Sequence, residues 1–305
     1  MFQFFANLFG YLLNFINNII GNYGLAIILF TILIKLIMLP LSIKQQKTMK
    51  KTAKIQEKLK ILQFKYKNDP EKLNRETMNL YKEEKMSPFS GCFSAIIQFV
   101  LLISVFYMVR CPLTYMEKID TNKINTYVSQ LKEDGKITNQ AYVEIDIIRE
   151  LDYLKEKNQG DETLNEINMN MNFLGIDLSK VPQSNLTDWT VYIIPILYII
   201  STFISMKITN DQTNKNNEKS SNSNVIEIKN ENNDDPKGDN NNKKQEDEES
   251  MEDAIAQSNK MMSWMMPILS VSISLVAPLG LALYWLMNNC LMILERLLLN
   301  KFIKD

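Results

Sequence analysis

Lys35 is the one ionisable side chain in the apolar run Thr31-Ile32-Leu33-Ile34-Lys35-Leu36-Ile37-Met38-Leu39-Pro40. A charge at such depth costs at least about 2.5 kcal/mol on insertion scales, so it calls for a polar cavity or a partner. The alternative is snorkelling, in which the lysine stem carries its ammonium to the membrane surface. From Lys35 to Ile43 that path is about 12 Å at a rise of about 1.5 Å per residue, more than a lysine stem comfortably covers. Thr31 lies one turn away on the same helix face, and Gln98, Tyr284, Trp285, Asn288 and Asn289 are further polar or amphipathic residues of apolar stretches that could line the same space. For each of these the alternative is interhelical hydrogen bonding or, for the aromatics, packing; for Asn289 the two readings stand level.

Other chemistry is poorly supplied. The chain has no histidine, which removes the commonest general base, the usual proton switch and the preferred zinc ligand together. Cys92, Cys111 and Cys290 are odd in number, widely separated and without C-x-x-C spacing, so they read as structural. No cofactor, metal or enzymatic step is expected. Net charge is −1, from 34 Lys plus Arg against 35 Asp plus Glu, and identifies no partner. The mean hydropathy of −0.16 hides an alternation of long apolar runs and very polar segments.

A spanning helix needs about 20 mostly apolar residues. Five stretches qualify, at 22–43, 89–110, 189–208, 259–277 and 278–300, which predicts an all-α integral membrane protein with five transmembrane helices around a hydrophilic groove. Pro278 separates the last two; a re-entrant pair is the alternative there. Lys44, Lys47, Lys50, Lys51, Lys54, Lys58 and Lys60 crowd the segment after the first span. The positive-inside rule makes that segment cytoplasmic, the N-terminus external, and the tail 301–305 cytoplasmic.

The segments between the spans divide by pattern. Residues 1–21 repeat Phe2, Phe5, Phe9, Leu12, Ile16 and Ile19 at helical spacing, as in an external amphipathic interfacial helix closed by Gly21; a secretory signal peptide is the rival. Residues 44–88 carry two apolar stripes with a turn at Asn68, Asp69 and Pro70, the pattern of a basic cytoplasmic helical hairpin. Its lysines suit anionic lipid headgroups or ribosomal RNA. Residues 111–188 read as a small, partly ordered external cap. The Asn-rich, acidic insert 209–258 buries too little apolar area to fold and is expected to be disordered and without chemistry.

Four blocks make the pattern more specific. They are Asn22-Tyr23-Gly24-Leu25-Ala26-Ile27-Ile28 leading to Lys35 and Leu39-Pro40-Leu41; Lys67-Asn68-Asp69-Pro70-Glu71-Lys72-Leu73; Ser87-Pro88-Phe89-Ser90-Gly91-Cys92 with Gln98; and Pro278-Leu279-Gly280-Leu281-Ala282-Leu283-Tyr284-Trp285 with Asn288. In that order they resemble the YidC/Oxa insertase family. The cap resembles it only near Phe173 to Leu178, and the acidic insert does not. The resemblance implies a five-helix core whose groove opens to the cytoplasm and to lipid but is closed outside. It implies a membrane protein insertase or chaperone in the cytoplasmic membrane, acting alone or with the Sec translocon. Nascent membrane proteins, the ribosome and anionic lipids are the implied partners, and DNA is not one. Lys35 holds the position of the family's groove residue, which is commonly arginine; lysine keeps the charge and loses the bidentate fork. Phe99-Val100 follows Gln98 where the family often has proline.

The competing class is a small-solute or ion transporter using Lys35 as its binding charge. It requires an outward-opening path and usually internal repeats, and the two halves show none. The orientation is checked by single-cysteine labelling of intact cells with an impermeant reagent. Positions near Asp146 should react and positions near Lys60 should not; the reverse pattern would overturn the topology.

Overall fold

The protein is known from a computed structural model that describes residues 2–66, 69–84, 90–137, 140–208 and 271–302. In hydrocarbon the backbone must satisfy its own polar groups, which leaves helices as the means of crossing. Three described helices are long and apolar enough to do so: Tyr23–Thr48 within a longer helix, Trp189–Ile208, and Leu279–Leu299. A fourth, α4 (Ser90–Arg110), is apolar through Phe99–Arg110. Of the expected 259–277 span only the helical turns 271–276 lie among the described residues, and the insert 209–258 lies outside them.

The chain divides into two compact units. The smaller contains the basic hairpin. The helix of the first span does not stop at Ile43: α2 runs from Tyr23 to Lys65, with Pro40 inside it. Pro40 lacks an N–H, so one helical hydrogen bond is missing within the apolar stretch. In the following helix, α3 (Pro70–Glu83), the Asp69 carboxylate accepts from the Lys72 N–H at 3.0 Å, and Pro70 occupies the first turn. The turn residues Lys67 and Asn68 lie outside the described residues. Ile55 and Leu80 are buried in this unit, and Lys58 pairs with Glu84 at 2.7 Å. Both partners of that pair are well exposed, so it contributes at most about 1 kcal/mol.

The larger unit holds the spans and the cap. Its α1 (Phe2–Ile20) packs through Ala6, Phe9, Gly10, Leu13 and Asn17. Phe5, Leu12 and Ile16 flank that face, while Ile19, grouped with them by sequence, is exposed. The docking is polar as well as apolar, which periodicity could not reveal. Asn14 donates to the Met116 carbonyl and Asn17 to that of Asn168, each at 3.1 Å. Lys118 donates to Asn7 at 2.6 Å and sits 4.2 Å from the Tyr11 ring centre. A side chain at Gly10 would collide with the Tyr115 carbonyl.

The cap is folded throughout its described residues rather than partly ordered. It comprises α5 (Pro112–Tyr115), α6 (Thr121–Glu133), α7 (Val143–Arg149), α8 (Leu151–Lys157), α9 (Glu162–Glu166) and a hairpin of β1 (Asn172–Phe173) and β2 (Ile176–Asp177). Tyr127, Leu131, Ile147, Leu154 and Leu164 belong to one continuous core that extends into the spans. Glu144 joins α7 to the chain leaving α4: its carboxylate accepts from the Thr114 N–H at 2.9 Å and the Thr114 hydroxyl at 2.6 Å. Burial still raises the Glu144 pKa, against those hydrogen bonds. Burial, followed by the neighbouring Glu144 charge, pushes the Cys111 thiol up to about 12, as suits an inert cysteine. Asp146 is buried and paired with Arg149 at 2.7 Å, so exposed Asp152 is the better labelling position nearby.

The β-hairpin ties span beginnings together. Tyr23 N–H donates to the Asn170 carbonyl at 3.0 Å, and the N–H groups of Leu279 and Gly280 donate to the carbonyls of Lys180 and Leu178 at 2.9 and 3.0 Å. Phe173 packs against Gly24, where an added Cβ would come within 2.4 Å of its Cγ and 2.6 Å of its Cβ. Helix propensity favours Gly24→Ala by up to about 1 kcal/mol, whereas overpacking typically costs about 1–3 kcal/mol. Gly24→Ala is therefore expected to lower the thermal midpoint in detergent, and Phe173→Gly, which removes both the Cβ and the ring it meets, should cost less in the Gly24→Ala background than alone. Additive losses in the double variant would show that the two positions are uncoupled.

Candidate functional site

Two helical stripes face one another in the larger unit. On α2 the stripe is Thr31, Lys35, Met38, Ser42 and Gln45, spaced four, three, four and three apart. On the last described helix (Leu279–Phe302) Tyr284 and Asn288 share a face at i and i+4. Ile97, Leu101 and Val105 of α4 supply an apolar wall, and Phe9 of α1 joins the lining. The Phe9 ring meets Phe30 edge-on, with centroids 5.8 Å apart. Together they enclose a cavity of about 40 Å³, enough for water where the lining is polar.

Lys35 faces this cavity and is paired. Its Nζ lies 3.9 Å from Glu295 Oε2, and the two side chains are 22% and 11% exposed. The separation exceeds a hydrogen bond, so the contact is electrostatic. Glu295 Oε1 is buried and has no hydrogen-bond partner among the described residues. Thr31 is buried, and its hydroxyl donates to the Ile27 carbonyl at 2.6 Å, which satisfies the proton and leaves oxygen lone pairs.

The sequence-derived residues separate accordingly. Thr31, Lys35, Tyr284 and Asn288 come together on the cavity. Trp285 and Asn289, one position on from Tyr284 and Asn288, turn about 100° away and face helix α10 (residues 193–208). Trp285 meets the Tyr198 ring at 6.0 Å, and Asn289 donates to Thr202 and Ser201 at 3.0 and 3.3 Å. Asn289 thus has the interhelical hydrogen bonds of its second reading. The Gln98 side chain lies outside the described residues.

Sequence reasoning passed over Glu295, Ser42 and Gln45. Glu295 had a signal: it is an acidic residue inside an apolar stretch, eleven positions after Tyr284 and so on nearly the same face three turns on. Ser42 and Gln45 continue the Thr31–Lys35 stripe and were legible from period alone. No group of three or more residues suited to a metal ion occurs among the described residues.

An all-helical bundle with a polar, charge-bearing cleft between its first and last spans defines a class of multi-pass membrane protein. The chain belongs to the family described as 60Kd inner membrane protein, whose model matches residues 15–305. It is similar to the membrane protein insertase YidC of Caldanaerobacter subterraneus subsp. tengcongensis, at 46% identity over 101 residues, 33% of this chain and 49% of that protein. It is also similar to the membrane protein insertase YidC of Francisella tularensis subsp. novicida, at 44% identity over 108 residues, 35% of this chain and 20% of that one. The aligned part spans about half the length of the first relative and less of the second. The family and the apolar helices make this a multi-pass protein of the cell membrane.

Glu295→Leu leaves Lys35 without its counter-charge, whereas Lys35→Met with Glu295→Leu removes both charges. Breaking a buried pair costs about 3–5 kcal/mol, and apolar replacement of both partners is often neutral or stabilising. The cleft is partly exposed, so the single variant should lose less than that range. The double variant is expected to melt at or above the parent in detergent and the single variant below it. A double variant as unstable as the single one would show that Lys35 and Glu295 are not coupled.

Proposed function

We propose that this chain is a membrane protein insertase, which helps hydrophobic client segments enter and fold in the cytoplasmic membrane. The observation that carries the reading is Lys35 held on a polar stripe inside an apolar bundle, paired over 3.9 Å with a carboxylate one of whose oxygens has no hydrogen-bond partner among the described residues. Carrying a polar tail through hydrocarbon is opposed by desolvation. A cleft that offers a cation, hydroxyls, amides and room for water lowers that barrier for half of the crossing, while the client's apolar segment moves sideways into lipid. No bond is made or broken.

Glu295 gives the mechanism a resting state. It occupies Lys35 weakly, so an acidic residue near a client's leading end can displace it and take the ammonium. The shared name of the relatives supports an insertase over a small-solute or ion transporter.

The same proposal covers the finer points of organisation. Five spans cross the membrane, the lysine-rich hairpin and the C-terminus lie in the cytoplasm, and the N-terminal helix and cap lie outside. The direct partners are nascent membrane proteins. The Sec translocon, the ribosome and anionic lipids are further partners, the last two favoured by the lysines of the hairpin.

The test is insertion of a short single-span client with an acidic outer tail into liposomes holding only this protein. Lys35→Arg should retain activity, Lys35→Ala should weaken it several-fold, and Lys35→Glu should be worst, with protein levels matched. A client with a neutral tail should respond little. Equal activity of all three variants on the acidic-tailed client would sink the electrostatic mechanism, and no insertion by the parent would sink the insertase.

A further inference from the structure

The β1–β2 hairpin stands where three apolar stretches begin. Backbone hydrogen bonds join it to Tyr23, Leu279 and Gly280, and the Asn22 amide donates to the Asn172 carbonyl at 2.8 Å. Strand β2 packs against the helical turn Trp189–Tyr192, the start of the third stretch. Since Tyr23–Thr48, Trp189–Ile208 and Leu279–Leu299 all start here, the hairpin sits at the boundary between hydrocarbon and headgroups.

Its tip is built against ordinary preference. Leu174 adopts φ 52° and Gly175 φ 81°, a two-residue turn in which asparagine and glycine are the relaxed choices. A leucine in the left-handed region crowds its own backbone. Burial within the protein does not explain the choice, because Leu174 is 86% exposed. Leu186 and Trp189, where the chain leads into the third apolar stretch, are 70% and 73% exposed.

The hairpin itself carries little charge that would hold its tip in water. Residues 168–176 contain no ionisable side chain. The Asp177 carboxylate accepts from the N–H and hydroxyl of Ser179. Lys180 donates to Asp188 at 2.7 Å.

We propose that this hairpin tip is a lipid-binding surface: Leu174, with Leu186 and Trp189, enters the headgroup–acyl boundary of the leaflet at this end of the bundle. Leucine gains from leaving water there, and tryptophan favours that layer because its ring is apolar and its N–H polar. The hairpin is bonded to the starts of the first and last spans and packed on the third, so its depth sets theirs. Lipid is the occupant that fits, because the exposed apolar side chains lie by the span starts, residues 168–176 carry no ionisable side chain, and Lys180 is paired with Asp188. The proposal rests on the spans and not on the insertase activity.

The experiment uses the full chain in phosphatidylcholine and phosphatidylglycerol vesicles, with Cys92, Cys111 and Cys290 replaced by serine. An environment-sensitive fluorophore is placed at Leu174→Cys and, as a control in the cap, at Glu133→Cys. The label at 174 should emit to the blue of the control. It should be quenched more by shallow than by deep doxyl-labelled lipid, and be protected several-fold from iodide. Iodide quenching equal to the control, without doxyl quenching, would return the tip to water and overturn the proposal. Protection from iodide without doxyl quenching would place the tip against protein, which overturns it too. Should the cysteine variant fail to fold, the unsubstituted chain is irradiated with a photoactivatable phosphatidylcholine and its peptides mapped. Labelling of residues 172–176 supports lipid contact, and its absence while Leu25 and Leu29 are labelled overturns it.

Discussion

An uncompensated charge in an apolar bundle is so expensive that the surroundings of Lys35 are organised around it. Coulomb attraction across 3.9 Å grows as the local dielectric falls, but so does the cost of removing both ions from water. Neither extreme suits this cleft. Full burial would make the pair a permanent structural element, and full hydration would make it irrelevant to anything entering the cleft. Side chains 22% and 11% exposed, with one carboxylate oxygen unsatisfied among the described residues, hold the pair between those limits.

Holding two charges at that distance requires the helices that carry them to keep a fixed register. Lys35 comes twelve residues after Tyr23, and Glu295 sixteen after Leu279, placing them about 18 Å and 24 Å along parallel helices. That offset is within reach of a lysine stem only if the two starts are level. The hairpin makes them level, through backbone bonds to Tyr23 on one side and to Leu279 and Gly280 on the other. Side chains would transmit such a constraint less rigidly; Gly24 allows Phe173 of the hairpin to approach the first helix closely, and Gly280 allows the Tyr23 ring to approach the last.

Much of this was legible in the sequence, for reasons tied to particular residues. Length and hydropathy mark the apolar stretches because a helix in lipid has a fixed minimum length, and Lys35 stands out because a charge in such a stretch needs an explanation. Periodicity alone separates Tyr284 and Asn288 from Trp285 and Asn289, since neighbours on a helix point about 100° apart. It does not say which pair faces the cleft. Tyr198, Ser201 and Thr202 of another helix settle that, and their pairing with Trp285 and Asn289 is a tertiary fact.

The cap was the least legible part, because its order depends on contacts distant in sequence. Its helices are short, and isolated helices of that length are marginal in water. What holds them is long-range: Glu144 on Thr114, Tyr127 on Asp161, the reciprocal amides of Gln130 and Asn158, and the asparagines of α1 on carbonyls more than a hundred residues away. A surplus of acidic residues made the segment look loosely ordered, yet many of those carboxylates serve as helix caps or ion-pair partners. Asp120 and Asp161 cap α6 and α9, and Asp134, Glu150 and Asp188 pair with Lys157, Lys136 and Lys180. Composition counts such charges without recording what they bond.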